Sequence, residues 1–579
     1  MKKQTRNIKA KSIKRLAIGL IALLLTNYLS SYYFARIDLT TEKRYTLSSI
    51  TKSTLKKLNQ NIYVTIFLKG KLPSGFKRLQ IQTAEMLEEF SAFSRNIYFK
   101  IENPLNGKNP KEQKQIINDF SKKGIAATNL KVKTTEGLKQ QIIFPSGIIT
   151  NGEKELAIEL LDTQIGVPPE VVLNNSIQSL EFKLIKAIKK LTEKNEQKIA
   201  IIKGHGELNF PYLVNIAIDL DKNYQLSEIE IKGKLSSLLR NNSNIIEPLV
   251  DVIIIPKPIH PFNEMDKYVI DQYLMYGGNI LWLIDPVNAN LGNLQNKETS
   301  LVFPLNLNID DQLFTYGVRI NTDLIMDLNA LPIPLRTGEI GGQAQITFFP
   351  WNYYPIIHPL SQHPIVRNLN AIKTEFISSI DTISNQNVCK TILLKSSKKT
   401  RLIKTPNTIS FNSVLKKMDP QLFNGGEKTI AVLLEGKFKS VYKNRIPPVK
   451  ASIPNFKNKN KSKPSKMIII SDGDIIKNQL HNSNKKPLPL GYDQFTNQTF
   501  GNKEFILNSI SYLSGDTDLI NLRSREIKLR LLDKTKINNE RKFWVLLNTI
   551  LPILVIIIFS ICYFFIRKRK YSHTKSVKL

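Results

Sequence analysis

Cysteine is almost missing. The 579 residues hold two, Cys389 and Cys562, and no C-x-x-C pair, which excludes a disulfide scaffold and dithiol redox chemistry. No G-x-x-x-x-G-K-[ST] stretch is present to cradle phosphates, which excludes a P-loop nucleotidase. Acid is scarce: 48 Asp and Glu face 83 Lys and Arg, for a net charge of +35. Thirteen of those bases sit in the terminal tails, seven before Leu16 and six after Ile566. The rest follow a Lys-, Asn- and Ile-rich composition that gives a solvated basic surface, leaving attraction to anionic lipid headgroups or an acidic partner open.

Uncharged runs of membrane length stand at both ends. Leu16 to Ala35 and Phe543 to Ile566 carry no Asp, Glu, Lys or Arg. At a rise of about 1.5 Å per residue each can cross a hydrocarbon core of roughly 30 Å. Basic residues lie at 1–15 and 567–579, so both tails are expected in the cytoplasm and the centre outside it, where nucleic acid is not an expected partner. A cleaved signal sequence also starts with bases, but the first apolar run exceeds the usual ~7–15 residues and no A-x-A-like site follows. Pro552 would kink the second span.

The region outside reads as two α/β domains. Residues 61–68 form a strand, Phe76 to Phe93 has helical apolar spacing, and Ile97 to Ile101 returns to strand, a β-α-β unit. A helix over 111–122 and two hairpins follow, Leu130 to Thr135 with Gln140 to Thr150, then Lys154 to Leu161 across Asn151-Gly152. This first domain, 36–169, has a thioredoxin-like look without its cysteines. A helix from Ser176 to Lys194 leads into the second, 170–515. Its strands 198–202, 224–231, 250–255, 279–284 and 466–470 alternate with helices near 212–220, 263–276 and 501–513, predicting a parallel doubly wound sheet. Weaker strand signals lie at 344–349, 374–379, 391–395 and 428–435. Residues 516–542 are charged and periodic, as a stalk helix returning to the membrane would be.

Several short segments then align into a family pattern. They are Ile37-Asp38-Leu39-Thr40 with Lys43-Arg44-Tyr45-Thr46-Leu47-Ser48 at the membrane exit, the Gly204-His205-Gly206-Glu207 turn, Asp472-Gly473-Asp474 at a strand end, and Gly501-Asn502 with Phe505 and Asn508. As an ordered set this resembles the gliding-motility-associated ABC transporter auxiliary proteins (GldG) of the Bacteroidetes, over nearly the whole chain. The resemblance implies a membrane-anchored subunit that accompanies an ABC permease and a separate ATPase. It also implies a middle domain like a class I glutamine amidotransferase without the catalytic residues, of a type also compared with intraflagellar-transport domains.

Read from the residues alone, the candidate chemistry has structural alternatives. His205 and Glu207 follow a parallel strand, where α/β enzymes place ligands, so acid–base or metal chemistry stands beside a structural turn. Asp472 and Asp474 suit either a cation or a helix cap. Trp351, Tyr353 and Tyr354 suit either a partner surface or a packed core. Cys389 lacks the flanking glycines of a nucleophile elbow, and His260, His358 and His363 each precede proline in extended loops. The expectation is a non-enzymatic inner-membrane subunit with its large region in the periplasm and no cofactor, linked to gliding or secretion machinery. The alternatives are a solute receptor with a pocket between its two domains, or an amidotransferase-like hydrolase.

Overall fold

The computed structural model describes residues 14, 16–28, 46–70, 72–134, 137–161, 168–192, 197–242, 244–294, 297–340, 343–411, 419–448, 453, 456–516, 520, 522 and 534–572. The chain divides into two compact units, Met1–Arg44 with Ile527–Leu579, and Tyr45–Glu526. In the first, the expected 16–35 span is described as a helix over Leu16–Tyr28, and its remainder lies outside the described residues. The second expected span falls inside a helix over Lys534–Ser572, within which Glu540–Arg569 is long and apolar enough to cross a membrane. Most of the expected stalk, 517–519, 521 and 523–533, lies outside the described residues.

The Tyr45–Glu526 unit opens with α1 (Ser49–Lys56), capped by the Ser48 hydroxyl, which accepts the Thr51 N–H at 3.0 Å. Then come β1 (Ile62–Ile66), α2 (Ser74–Phe93), β2 (Ile97–Ile101), α3 (Pro110–Lys122), β3 (Thr128–Thr134), β4 (Gly137–Ile143), β5 (Ser146–Thr150) and β6 (Glu155–Glu159). The first sheet runs β2-β1-β5-β6, with β1 parallel to β2 and antiparallel to β5. Two expected elements differ. The strand expected over 140–150 is two strands, because Pro145 has no N–H to continue the ladder and the chain turns there from the β3–β4 hairpin into the sheet. The helix expected over 176–194 begins at Pro169 and breaks at Ser179 into α4 (Pro169–Gln178) and α5 (Leu180–Thr192).

The larger part adds β7 (Lys198–Lys203), α6 (Phe210–Asp221), β8 (Gln225–Glu230), a hairpin of β9 (Leu239–Asn242) and β10 (Ile245–Pro248), β11 (Val252–Pro256), α7 (Glu264–Tyr276) and β12 (Asn279–Leu283). Next come β13 (Thr299–Val302), α8 (Asp310–Tyr316), β14 (Val318–Ile320), β15 (Asp323–Asp327), the long hairpin β16 (Ala330–Ile340) and β17 (Gln343–Ile357), β18 (Ile372–Lys373) and β19 (Ile380–Thr382). The chain ends this unit through β20 (Val388–Lys395), β21 (Thr400–Lys404), β22 (Asn407–Ser410), β23 (Thr429–Gly436), β24 (Ser465–Ile470) and α9 (Asn502–Leu513).

A seven-stranded sheet, ordered β20-β23-β24-β12-β11-β7-β8, forms the frame. Five neighbouring strands are parallel as expected; β23 pairs antiparallel with β24 and β20 antiparallel with β23, so β23 alone runs against the rest of the sheet. Ile199, Ile254, Leu281 and Ile468 face α6 and α9; Ile253, Ile280, Trp282 and Ile469 face α7. The strand expected over 374–379 is a loop: Phe376 has φ +49°, and its backbone reaches three different neighbours instead of one ladder.

Helix α7 is buried from Asp266 to Tyr276 and ends where Gly277 adopts φ +110°, a left-handed cap that glycine takes without strain. A Cβ on Gly278 would stand 2.2 Å from the ring of fully buried Tyr273. Gly278→Ala is therefore expected to destabilise by about 3 kcal/mol by expelling that ring, against about 1 kcal/mol for the strained φ of Gly277→Ala. Urea unfolding of both variants checks the order.

Candidate functional site

Parallel strands aim their carboxyl ends at one edge of a sheet, and ligands of such folds gather there. Here that edge carries Gly204–Glu207 after β7, Lys257 after β11, Asp285 after β12 and Asp472–Asp474 after β24.

His205 is buried, and both ring nitrogens are engaged. Nδ1 lies 3.1 Å from Glu207 Oε1, Nε2 lies 3.1 Å from Asp266 Oδ2, and the ring stacks on Phe262 at 3.8 Å. Glu207 Oε2 also accepts the His205 N–H at 2.7 Å. Asp266 is fixed in turn, accepting from Gly233 N–H at 2.7 Å and from the Asn263 amide at 2.8 Å. Burial alone would push the imidazole down, but hydrogen bonds and charge from Asp266 and Glu207 win and raise it to about 9. Gly206 has φ +75°, and a Cβ there would meet Ile259 at 2.4 Å. The group is thus an imidazolium held between two carboxylates, tying β7 to the start of α7. A metal ligand needs a lone pair on a ring nitrogen, and here both nitrogens face carboxylates.

Asp472 and Asp474 take different partners. Asp474 pairs with Lys257 and, at 3.0 Å, with Lys477; Lys257 also meets Asp285 at 2.9 Å. Burial would raise the Asp474 carboxyl, yet the two ammonium groups hold it down to about 2. Asp472 accepts backbone N–H groups from Glu375 at 3.1 Å and Asp474 at 2.8 Å, and burial with neighbouring acids pushes it well above the usual range. Lysine ammonium groups fill the place a bound cation would take beside Asp474. Among the described residues no group of three or more His, Cys, Asp or Glu could hold a metal.

Beside this cluster lies a cavity of about 420 Å³, walled by Leu331 to Arg336 of β16 and by Tyr354, Lys373, Glu375, Asp474, Lys477 and Asp493 among others. All lining residues fall between Ala289 and Phe495, so this cavity belongs to the larger α/β part. Trp351, Tyr353 and Tyr354 lie on β17 and are buried, as core rather than surface, with Tyr354 reaching the cavity. Gly501 packs against the Asn370 backbone, and Asn502 bridges Lys373 twice, accepting its N–H at 3.1 Å and donating to its carbonyl at 2.8 Å. Two sequence motifs therefore meet at one place. Asp38, Leu39, Thr40, Arg44 and Tyr45 lie outside the described residues. Cys389 is exposed on β20, and His260 and His358 are exposed too. His363 packs on Tyr512 at 4.9 Å. Sequence reasoning missed Asp266, Lys373 and Lys477; the signals were an acid three residues after the Asn263 cap and a lysine three after Asp474.

A pH signature follows from His205. Its raised affinity stabilises the fold fully below the unfolded value of 6.5, and that contribution is lost as pH rises through about 9. The stability advantage of the natural chain over His205→Gln is expected to shrink by about 3 kcal/mol from pH 6.5 to 9.5. Denaturant unfolding of the detergent-solubilised chain at both pH values measures it; a pH-independent difference would refute the triad's charge state.

The comparisons with known proteins agree in extent with this frame. A family model for a domain of unknown function matches residues 41–150. An uncharacterized protein of Borreliella burgdorferi is 23% identical over 577 residues, covering 97% of this chain and 99% of that one. Among solved structures, the mmIFT52 N-terminal domain (11% identity, TM-score 0.31) covers 55% of this chain and 98% of its own. A ThuA-like protein from Parabacteroides merdae (9% identity, TM-score 0.25) covers 56% and 91%. Neither overlay is close enough to carry an argument. A further family model, described as an ABC-type uncharacterized transport system, spans residues 196–509, from β7 into α9 and more than half of the chain, and the chain belongs to that family of ABC transporter auxiliary proteins.

Proposed function

We propose that the chain is a non-enzymatic, membrane-anchored auxiliary subunit of an ABC transport complex, working with a separate permease and ATPase. The observation that carries this is the joining, in one chain, of the transport-family region at 196–509 to an apolar helix at Glu540–Arg569, which has no buried side of its own. A helix of mean hydropathy 2.8 is stable against lipid or against other apolar helices. The bases at 567–570 favour a cytoplasmic C-terminus, and with it an inner-membrane location and a periplasmic Tyr45–Glu526 unit. The resemblance at 37–48, 204–207, 472–474 and 501–508 further links the complex to gliding or secretion machinery of the Bacteroidetes kind.

The strand order β2-β1-β5-β6 supports the thioredoxin-like reading of the first domain, and the five parallel strands support the amidotransferase-like reading of the second. The exposed position of Cys389 within a strand, rather than on a sharp strand-to-helix turn, speaks against a nucleophile elbow. A mild-detergent pull-down of the tagged chain from its native membrane tests the proposal. A multi-span permease and a Walker-type ATPase in fixed ratio are the expected partners, lost when 540–569 is replaced by an unrelated apolar span. Recovery of the chain alone would overturn it.

A further inference from the structure

From Lys437 to Lys466 the chain carries ten lysines and arginines and no acid. The fold turns part of this run into one face. Residues 438–440 and 460–462 lie antiparallel, with Ser440 N–H on the Asn460 carbonyl at 3.1 Å and Ser462 N–H on the Phe438 carbonyl at 2.9 Å. Side chains alternate across such a pair. Phe438, Ser440 and Ser462 turn inward, where Ser440 donates to Asp271 of α7 at 2.7 Å, while Lys437, Lys439, Lys461 and Lys463 are exposed on the other side. Lys439 and Lys461 stand directly opposite each other, and like charges so placed repel. Burial and the Lys463 charge together hold the neighbouring Lys459 ammonium below its ordinary value. Among the described residues the only ion pair of this stretch joins Arg445 to Asp311 at 2.8 Å, which leaves Lys437, Lys439, Lys457, Lys461 and Lys463 without one. Glu247, which feels Lys463, is already bonded to Arg240 at 2.8 Å.

A second feature belongs to the same stretch. Ile446 is 93% exposed, more than any other large apolar side chain among the described residues. It stands between Arg445, fixed by Asp311, and Pro447-Pro448. Unpaired lysines gain from a dense anionic surface, and an exposed isoleucine gains from apolar matter; the headgroup boundary of an anionic bilayer offers both. We infer that this face docks on an anionic lipid surface, with Lys437, Lys439, Lys457, Lys461 and Lys463 over the headgroups and Ile446 among the upper acyl carbons. The chain brings such a surface within reach, because the stretch from Leu513 to Glu540 of the apolar helix spans at most about 95 Å when fully extended. A soluble polyanion would satisfy the lysines and give Ile446 nothing.

Lipid docking is measured without permease or ATPase, so it and the transport-complex reading can fail separately. The full-length chain, held in phosphatidylcholine nanodiscs, is sedimented with sucrose-loaded vesicles of phosphatidylcholine alone or with about 30% phosphatidylglycerol. The terminal tails are basic too, so two variants that lose equal charge are compared. One carries Lys439→Gln, Lys457→Gln, Lys461→Gln and Lys463→Gln on the face; the other carries Lys398→Gln, Lys399→Gln, Arg401→Gln and Lys404→Gln at β21. Binding to the anionic vesicles is expected to fall by about tenfold or more in the first and by less than about twofold in the second. Ile446→Ser is expected to weaken it roughly threefold. Lys439→Gln alone, which relieves the repulsion from Lys461, is expected to weaken it roughly threefold without lowering the urea midpoint. Equal losses in the two fourfold variants, no preference for anionic over neutral vesicles, or binding unchanged in Ile446→Ser, the mark of a soluble-polyanion site, would each overturn the inference. Should the fourfold face variant fail to fold, Lys439→Gln and Ile446→Ser decide it.

Discussion

Charge buried at one edge of the central sheet governs the rest of the molecule. Ions withdrawn from water cost several kcal/mol each unless a counter-ion and further hydrogen bonds replace the solvent. Lys257 lies between Asp285 and Asp474, so the ends of β11, β12 and β24 are joined through one ammonium group. His205, between Glu207 and Asp266, does the same for β7 and α7. Removing Lys257 would leave Asp285 without its ammonium partner, and removing His205 would leave Glu207 and Asp266 without theirs. These side chains therefore fix the loops of the edge against one another, and the cavity beside them inherits a stiff wall.

The same rule explains the burial of α7. Its middle presents Lys267, Asp271 and Gln272 to the interior, and each is met by the segments that cover it. Lys267 reaches Glu264 and Asp311; Gln272 exchanges hydrogen bonds with the Lys459 backbone. Burial pushes the Asp271 carboxyl up to about 6, although it accepts from Ser440, Val441 and Tyr316. Polar groups in such a place select one way of laying residues 437–442 and 456–462 over the helix, where apolar packing alone would accept several.

The parallel strands were legible because they are short unbroken apolar runs, and α7 because Asn263 and Gly277 bracket it. The Gly204–Glu207, Asp472–Asp474 and Gly501–Asn502 segments were legible as places of interest, since glycines beside acids or amides at element ends are uncommon in ordinary packing. What they do was not. Nothing near His205 in sequence points to Asp266 as its second partner, and nothing near Asn502 points to Lys373, 129 positions earlier.

The amino-acid sequence by itself determined the α/β class, the order of the main strands and helices, the apolar C-terminal helix and the lack of a phosphate-binding loop. Each rests on local composition and periodicity, which act over a few turns of chain. Only the tertiary structure decided that Asp474 of the Asp-Gly-Asp turn is paired with lysines while Asp472 accepts backbone N–H groups, and that the Trp-Asn-Tyr-Tyr stretch is core. Those facts depend on which distant side chains share one low-dielectric space. Coulombic and desolvation energies are set by distance and burial, and neither is written in sequence separation.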